Sequence, residues 1–235
     1  MAAQGFNVDA LKSQDGLSAE VARHLGLMIV SGYYKAGDRI REVAVSKDLN
    51  VSRGSVREAL LILERRYLIE LEPRKGARVL DIGPERAREF YEIWIELLSI
   101  VTRNFCERWE ENKQHMVAFK TCLEKIDECI LDNQAAGVME CHLVFWKLAR
   151  MFTPNGFLNQ MLDDLEYVFR WCMLRVIHSG PTQVATVRVF LTRYLEQVEA
   201  RNDKVAVAML TGVLRDQCET VVRRILNHRD LGREL

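Results

Sequence analysis

The run Ser52-Arg53-Gly54-Ser55-Val56-Arg57 holds the residue types and spacing best suited to chemistry on a phosphate-bearing partner in this 235-residue chain. If a helix opens at Ser52, its first turn projects backbone N–H groups and partial positive charge outward. Ser52 and Ser55 add hydroxyl groups, and Arg53 and Arg57, four residues apart, point the same way. Arginine in that position reaches phosphate oxygens or the paired acceptors on a guanine edge. On an ordinary surface helix the same two arginines would be no more than solvated charge, so the elements that position them decide between the readings.

Those elements are legible on both sides. Leu17, Val21, Leu25, Met28 and Ile29 recur at helical spacing and predict a first helix, with Ser18 or Asp15 to cap it and Gly32 to stop it. Lys35-Ala36-Gly37-Asp38 predicts a turn. Arg41 to Asp48 follows as a short second helix ending near Asn50, a residue that accepts the left-handed conformation of a tight turn. The helix opening at Ser52 then buries Val56, Ala59, Leu60 and Leu63. Beyond Arg66, Leu68, Ile69 and Leu71 precede Pro73-Arg74-Lys75-Gly76, and Ala77 and Val79 follow, which predicts two strands around a basic tip. Three helices and a β-hairpin wing make a winged helix-turn-helix over residues 17–80, preceded by a loose polar tail over 1–16.

Gly83-Pro84-Glu85 is a helix-start signal after a short linker at 81–83. The rest reads as helices near 84–110, 113–134, 137–152, 156–178, 181–201 and 203–228, with breaks at Asn112, Gly137, Pro154-Asn155-Gly156, Gly180-Pro181 and Asn202-Asp203. The fold class is therefore mainly α: the winged unit, then an antiparallel bundle of six or seven helices over residues 84–235. Net charge is zero overall, but residues 17–80 carry 12 Lys/Arg against 8 Asp/Glu and residues 81–235 carry 20 against 23. The basic excess lies on the winged unit, where a phosphate-facing module needs it. No apolar run approaches the roughly 20 residues of a membrane span, and the first residues lack the order of a secretory signal, so a cytoplasmic protein without a membrane partner is expected. The six cysteines include no CxxC pair. They read as small buried apolar residues in a reducing compartment, forming neither disulfides nor a thiolate zinc site.

The stretch Gly37 to Val79 resembles the GntR family of bacterial regulators. The resemblance rests on Gly37-Asp38-Arg39-Ile40-Arg41-Glu42, Leu49-Asn50-Val51-Ser52-Arg53, Val56-Arg57-Glu58-Ala59-Leu60 and Pro73-Arg74-Lys75-Gly76-Ala77. It implies DNA contacts in the major groove from the positions of Arg41, Ser52, Arg53, Gly54, Ser55 and Arg57, and an approach to the minor groove by the wing tip at Lys75 and Gly76. Gly54, where threonine is common, and Asn50, where glycine is usual, depart from the family pattern without removing a charge.

The helical part resembles, more loosely, the C-terminal domain of the FadR subfamily. Many of those domains bind a divalent metal through an Asp and three His residues. Matching on Phe145 and on the two helix breaks puts His142, Trp146, Thr192 and Leu214 at those four positions, which leaves a single imidazole. No metal and no other cofactor is expected. Trp94 occupies the position where an Arg meets a ligand carboxylate in metal-binding members. With Phe145 and Trp171, these residues suggest an apolar effector pocket suited to a compound such as a fatty acyl molecule. A small carboxylate effector is the alternative, as is a helical domain whose aromatics only fill a core and serve dimerisation.

A reader of this size covers one half-site, so a symmetric homodimer on a palindromic double-stranded operator is expected. A small-molecule effector would alter its DNA affinity, most often as a repressor. An enzyme using His142 as base with Cys141 or Cys172 as nucleophile is disfavoured, because no phosphate loop or catalytic-triad order accompanies them.

Overall fold

The computed structural model describes residues 16–72, 76–112, 114–177 and 181–231; these are mainly helical, with nine α-helices and one small sheet. The wing tip Pro73-Arg74-Lys75, Gly180 and the tail before Gly16 lie outside the described residues. Contacts divide the chain into two compact units. Of the described residues, one holds those up to Ile82 together with Asp163–Trp171, and the other holds those of Gly83–Leu162 and from Cys172 onward.

The first unit runs α1 (Gly16–Val30), β1 (Arg39–Ile40), α2 (Glu42–Leu49), α3 (Arg53–Arg65), β2 (Ile69–Glu72) and β3 (Gly76–Val79). Its core forms where Val21, Ala22, Leu25 and Ile29 of α1 are buried with Val56, Ala59, Leu60 and Leu63 of α3, the stripes set by helical periodicity. The wing differs from the expected two-stranded hairpin, because β1 adds a third strand and the antiparallel order is β1-β3-β2. Two residues are too few for alternation to show. The strand forms because Gly37, at φ +85°, turns the chain so that its N–H donates to the Val79 carbonyl at 2.9 Å. Val79 N–H donates back to Asp38 O at 2.9 Å, and the Asp38 carboxylate closes the turn by accepting from Lys35 N–H at 2.8 Å.

The second unit begins with α4 (Pro84–Arg108), whose first residue is the helix-starting proline, and a 3-10 turn (Trp109–Asn112). Then come α5 (Gln114–Leu131), α6 (Ala135–Arg150), α7 (Gly156–Ile177), α8 (Pro181–Glu199) and α9 (Asp203–Leu231). All six expected helices form. Gly137 is a correction: it lies inside α6 and is not a break, and the chain turns instead at Asn133, at φ +55°. Glycine is needed there for closeness, since a Cβ on Gly137 would stand 2.5 Å from Cys129 Sγ of α5. Phe105 of α4 stacks on Phe119 of α5 and on Phe152, with centroids 4.9 and 4.8 Å away, and Phe145 of α6 meets Phe119 edge-on. Tyr194 of α8 is fully buried, and its hydroxyl donates to Thr102 Oγ1 of α4 at 3.0 Å. The Asp163–Trp171 stretch of α7 belongs to the first unit. There the Tyr167 ring lies against Gly26, where a Cβ would approach to 2.5 Å, and beneath the Arg66 guanidinium at 5.1 Å.

Candidate nucleic-acid interface and helical-domain cavity

The turn between α2 and α3 is set by one residue. Asn50 takes the left-handed conformation (φ 52°, ψ 45°), and Val51 N–H then donates to Ser46 O at 3.1 Å while the Ser46 hydroxyl donates to Val51 O at 2.7 Å. Ser52 next caps α3: its Oγ accepts from Ser55 N–H at 3.0 Å and lies 2.9 Å from Ser55 Oγ. The cap satisfies one of the open amides of the first turn. Val56 and Ala59 bury the inner side of the helix, leaving Arg53, Gly54 and Arg57 exposed.

The arginines of the sheet and those around the α2–α3 turn differ in their pairing. Arg39 and Arg78 of the sheet share the single Glu72 carboxylate, at 3.4 and 2.6 Å, which offsets one of their two charges. Arg41, Arg53 and Arg57 are exposed, and none of them forms an ion pair among the described residues. The structure thus gathers Arg41, Ser52, Arg53, Gly54, Ser55 and Arg57 around the α2–α3 turn and the start of α3. A Cβ on Gly54 would meet only Ser52 Oγ, at 3.6 Å, so this surface is open to a close partner. Gly76 opens β3 at φ +89°, and Lys75 lies outside the described residues.

In the second unit, a cavity of about 250 Å³ lies among α6, α7, α8 and α9, lined by His142, Val176, Thr186, Val187, Phe190, Val213, Asp216, Gln217 and Thr220. Of the seven residues expected to hold an effector, His142 lines it. Trp94 is stacked on Phe90, Phe145 and Trp146 sit in the aromatic core, and Leu214 is buried. Thr192 is hydrogen-bonded to Arg188, and Trp171 falls within the stretch of α7 assigned to the first unit. The cavity residues that sequence reasoning missed do carry helical spacing: Thr186 and Phe190 on α8, and Val213, Gln217 and Thr220 on α9. In a chain of amphipathic helices, that pattern is indistinguishable from core.

His142 is buried, and its Nε2 accepts from Trp146 Nε1–H at 3.0 Å. Burial lowers its pKa from 6.5 to about 4, so the ring is neutral near pH 7 and carries its proton on Nδ1. Gln217 Oε1 is buried without a hydrogen-bond partner among the described residues. Cavity chemistry is therefore a neutral imidazole, an amide carbonyl, two threonines and one carboxylate, set against valine and phenylalanine. Among the described residues, no three His, Cys, Asp or Glu side chains are grouped so as to hold a metal ion, and no helix is long and apolar enough to cross a membrane.

Two short helices across a left-handed turn, a capped and cation-bearing second helix, and a three-stranded wing define a winged helix-turn-helix DNA-binding unit. Over residues 17–79 the chain matches the family model of bacterial regulatory proteins of the gntR family. It is 23% identical over 193 residues to the HTH-type transcriptional regulator YdhC of Bacillus subtilis (strain 168), covering 82% of this chain and 85% of that one. It is also 35% identical over 89 residues to the gluconate operon transcriptional repressor of the same organism, covering 38% of this chain and 36% of that protein. The fold is shared with E. coli McbR/YncC, with TM-score 0.74, 18% identity and coverage of 89% of this chain and 98% of that one. A GntR transcriptional regulator from Rhodococcus sp. RHA1 is similar too, with TM-score 0.68, 20% identity and coverage of 87% and 97%.

Proposed function

We propose that this regulator is a homodimeric repressor of the FadR subfamily that reads a palindromic operator through α3 and is released by a small molecule bound in its helical domain. The observation that carries the DNA reading is the contrast among its arginines: those of the sheet are paired with Glu72, while Arg41, Arg53 and Arg57 are exposed around a capped helix start and form no ion pair among the described residues. Backbone amides and Ser55 position the helix on phosphate, Arg53 and Arg57 read base edges, and Lys75 with Gly76 approaches the minor groove. Selection of the full-length protein against random duplex DNA tests this. Enrichment of an inverted repeat with half-sites about one helical turn apart is the expected outcome, and failure to enrich any sequence would overturn it.

Cavity size and lining support a compact effector. At about 250 Å³ it sits just below the roughly 300–1,000 Å³ range of typical ligand pockets, too little for a fatty acyl compound. Its lining residues include no Lys or Arg to meet a carboxylate. The effector class favoured is therefore a small uncharged or cationic molecule with an apolar flank and a donor for Gln217 Oε1. Binding to the folded state alone raises the melting temperature. A compound library that stabilises the wild type but not Gln217→Leu supports this reading, and stabilisation only by long-chain acyl compounds would sink it.

A further inference from the structure

Three thiols meet on the seam between α5 and α6. Cys122 and Cys129 are two turns apart on one face of α5. Cys141 approaches from α6: its carbonyl accepts from Cys122 Sγ at 2.9 Å, and Cys129 is a neighbouring thiol. Gly137, one turn before Cys141, lets the helices come this close, since any Cβ there would collide with Cys129 Sγ. Cys122 is buried, whereas Cys129 and Cys141 are half-buried.

We propose that Cys129 and Cys141 are a redox-sensitive pair that a hydroperoxide converts into a disulfide across the α5–α6 seam. Adjacency and access select this pair among the three. Cys122 is inert by comparison, because it is enclosed, it is bonded to a carbonyl, and its thiol is pushed up to about 11 chiefly by burial. Burial, reinforced by the adjacent Cys129, raises the Cys141 thiol, which fits Cys141 as the resolving sulfur and leaves the attack to Cys129. Cys129, as thiolate, attacks the peroxide O–O bond and becomes a sulfenic acid while the hydroperoxide leaves as an alcohol, or as water from hydrogen peroxide. Cys141 then displaces the sulfenic oxygen, which departs as water with the Cys141 proton. Two thiols are oxidised by two electrons, and one O–O bond is reduced. The bond would pin the turn of α6 that holds Cys141 and its neighbour His142, a wall of the cavity.

The reduced full-length protein is treated with hydrogen peroxide, alkylated, digested without reductant and read by mass spectrometry. The expected product has lost the mass of two hydrogens, yields a linked peptide pair containing Cys129 and Cys141, and reverts with dithiothreitol. Cys129→Ser and Cys141→Ser abolish it, and Cys122→Ser retains it. A link through Cys122, a link between two chains, or oxygen addition to single cysteines with no link would each overturn the proposal. The peptide map of the wild type distinguishes these outcomes even if a serine variant fails to fold, and none of these readouts depends on DNA or effector binding.

Discussion

The Trp146 indole N–H donates to His142 Nε2 at 3.0 Å, one turn apart on α6, inside a core where His142 is almost wholly enclosed. The bond requires the neutral ring, because a protonated imidazole has no acceptor left for it. Burial takes the His142 pKa from 6.5 to about 4. A histidine whose folded pKa is lowered gives stability that is fully present above the unfolded value and is lost as pH falls from 6.5 toward 4, because the unfolded chain binds the proton first. The full loss for this single group is on the order of 3 kcal/mol. Denaturant titrations at pH 7 and pH 4.5 should show His142→Gln, which still offers Trp146 a carbonyl, losing less stability on acidification than the wild type. Equal losses in the two proteins would mean that His142 does not carry this dependence.

Arg53 and Arg57 should behave differently from Lys75. If each arginine reads a base, Arg53→Ala and Arg57→Ala should each cost roughly 1–3 kcal/mol on a selected operator and little on random DNA. Lys75→Ala should weaken binding to all sequences and reduce the salt slope by about one. Fluorescence anisotropy over a salt series separates these cases. Arg78→Ala is the internal control, since that guanidinium is already engaged by Glu72.

Legibility followed the physics of each element. The reader was readable because its determinants are local: a left-handed Asn50, a capping Ser52 and four apolar positions on α3 act within a few residues of one another. β1 was not, because Arg39–Ile40 exists only through pairing with β3 nearly forty residues on. Gly137 misled for a similar reason. As a sequence feature it is a helix breaker, yet its neighbour across the seam makes it a contact residue within a helix. His142 was singled out, and the cavity does include it. Its partners across the cavity, Phe190 and Gln217, come from separate helices whose rotation is set by packing, and periodicity does not encode which turn of one helix faces which turn of another.

Ser52→Ala tests the cap independently of DNA. The hydroxyl satisfies the Ser55 amide at the open end of α3, and its loss should cost about 1 kcal/mol of stability in the first unit. Ser52→Asp keeps the cap and should retain that stability, while placing negative charge where phosphate would lie. Operator affinity should therefore fall for the aspartate variant although the fold is intact. Thermal denaturation and anisotropy on the same samples make the comparison, and equal affinity for wild type and Ser52→Asp would place the DNA surface elsewhere.

Gly37 and Gly76 form a matched pair for the wing. Both have positive φ, +85° and +89°, so alanine is strained at either position. Their surroundings differ: a Cβ on Gly37 meets nothing within 4 Å, whereas one on Gly76 would stand 3.1 Å from the Ile40 carbonyl oxygen of β1. Backbone strain of this kind costs roughly 1–3 kcal/mol, and Gly76→Ala adds a contact that only movement of β1 against β3 can relieve. Gly76→Ala should thus destabilise the first unit more than Gly37→Ala, and it alone should speed amide exchange at Ala77, the residue paired with Ile40. Equal destabilisation with unchanged exchange would mean that β1 yields freely, and that the wing is held by the β2–β3 pairing alone.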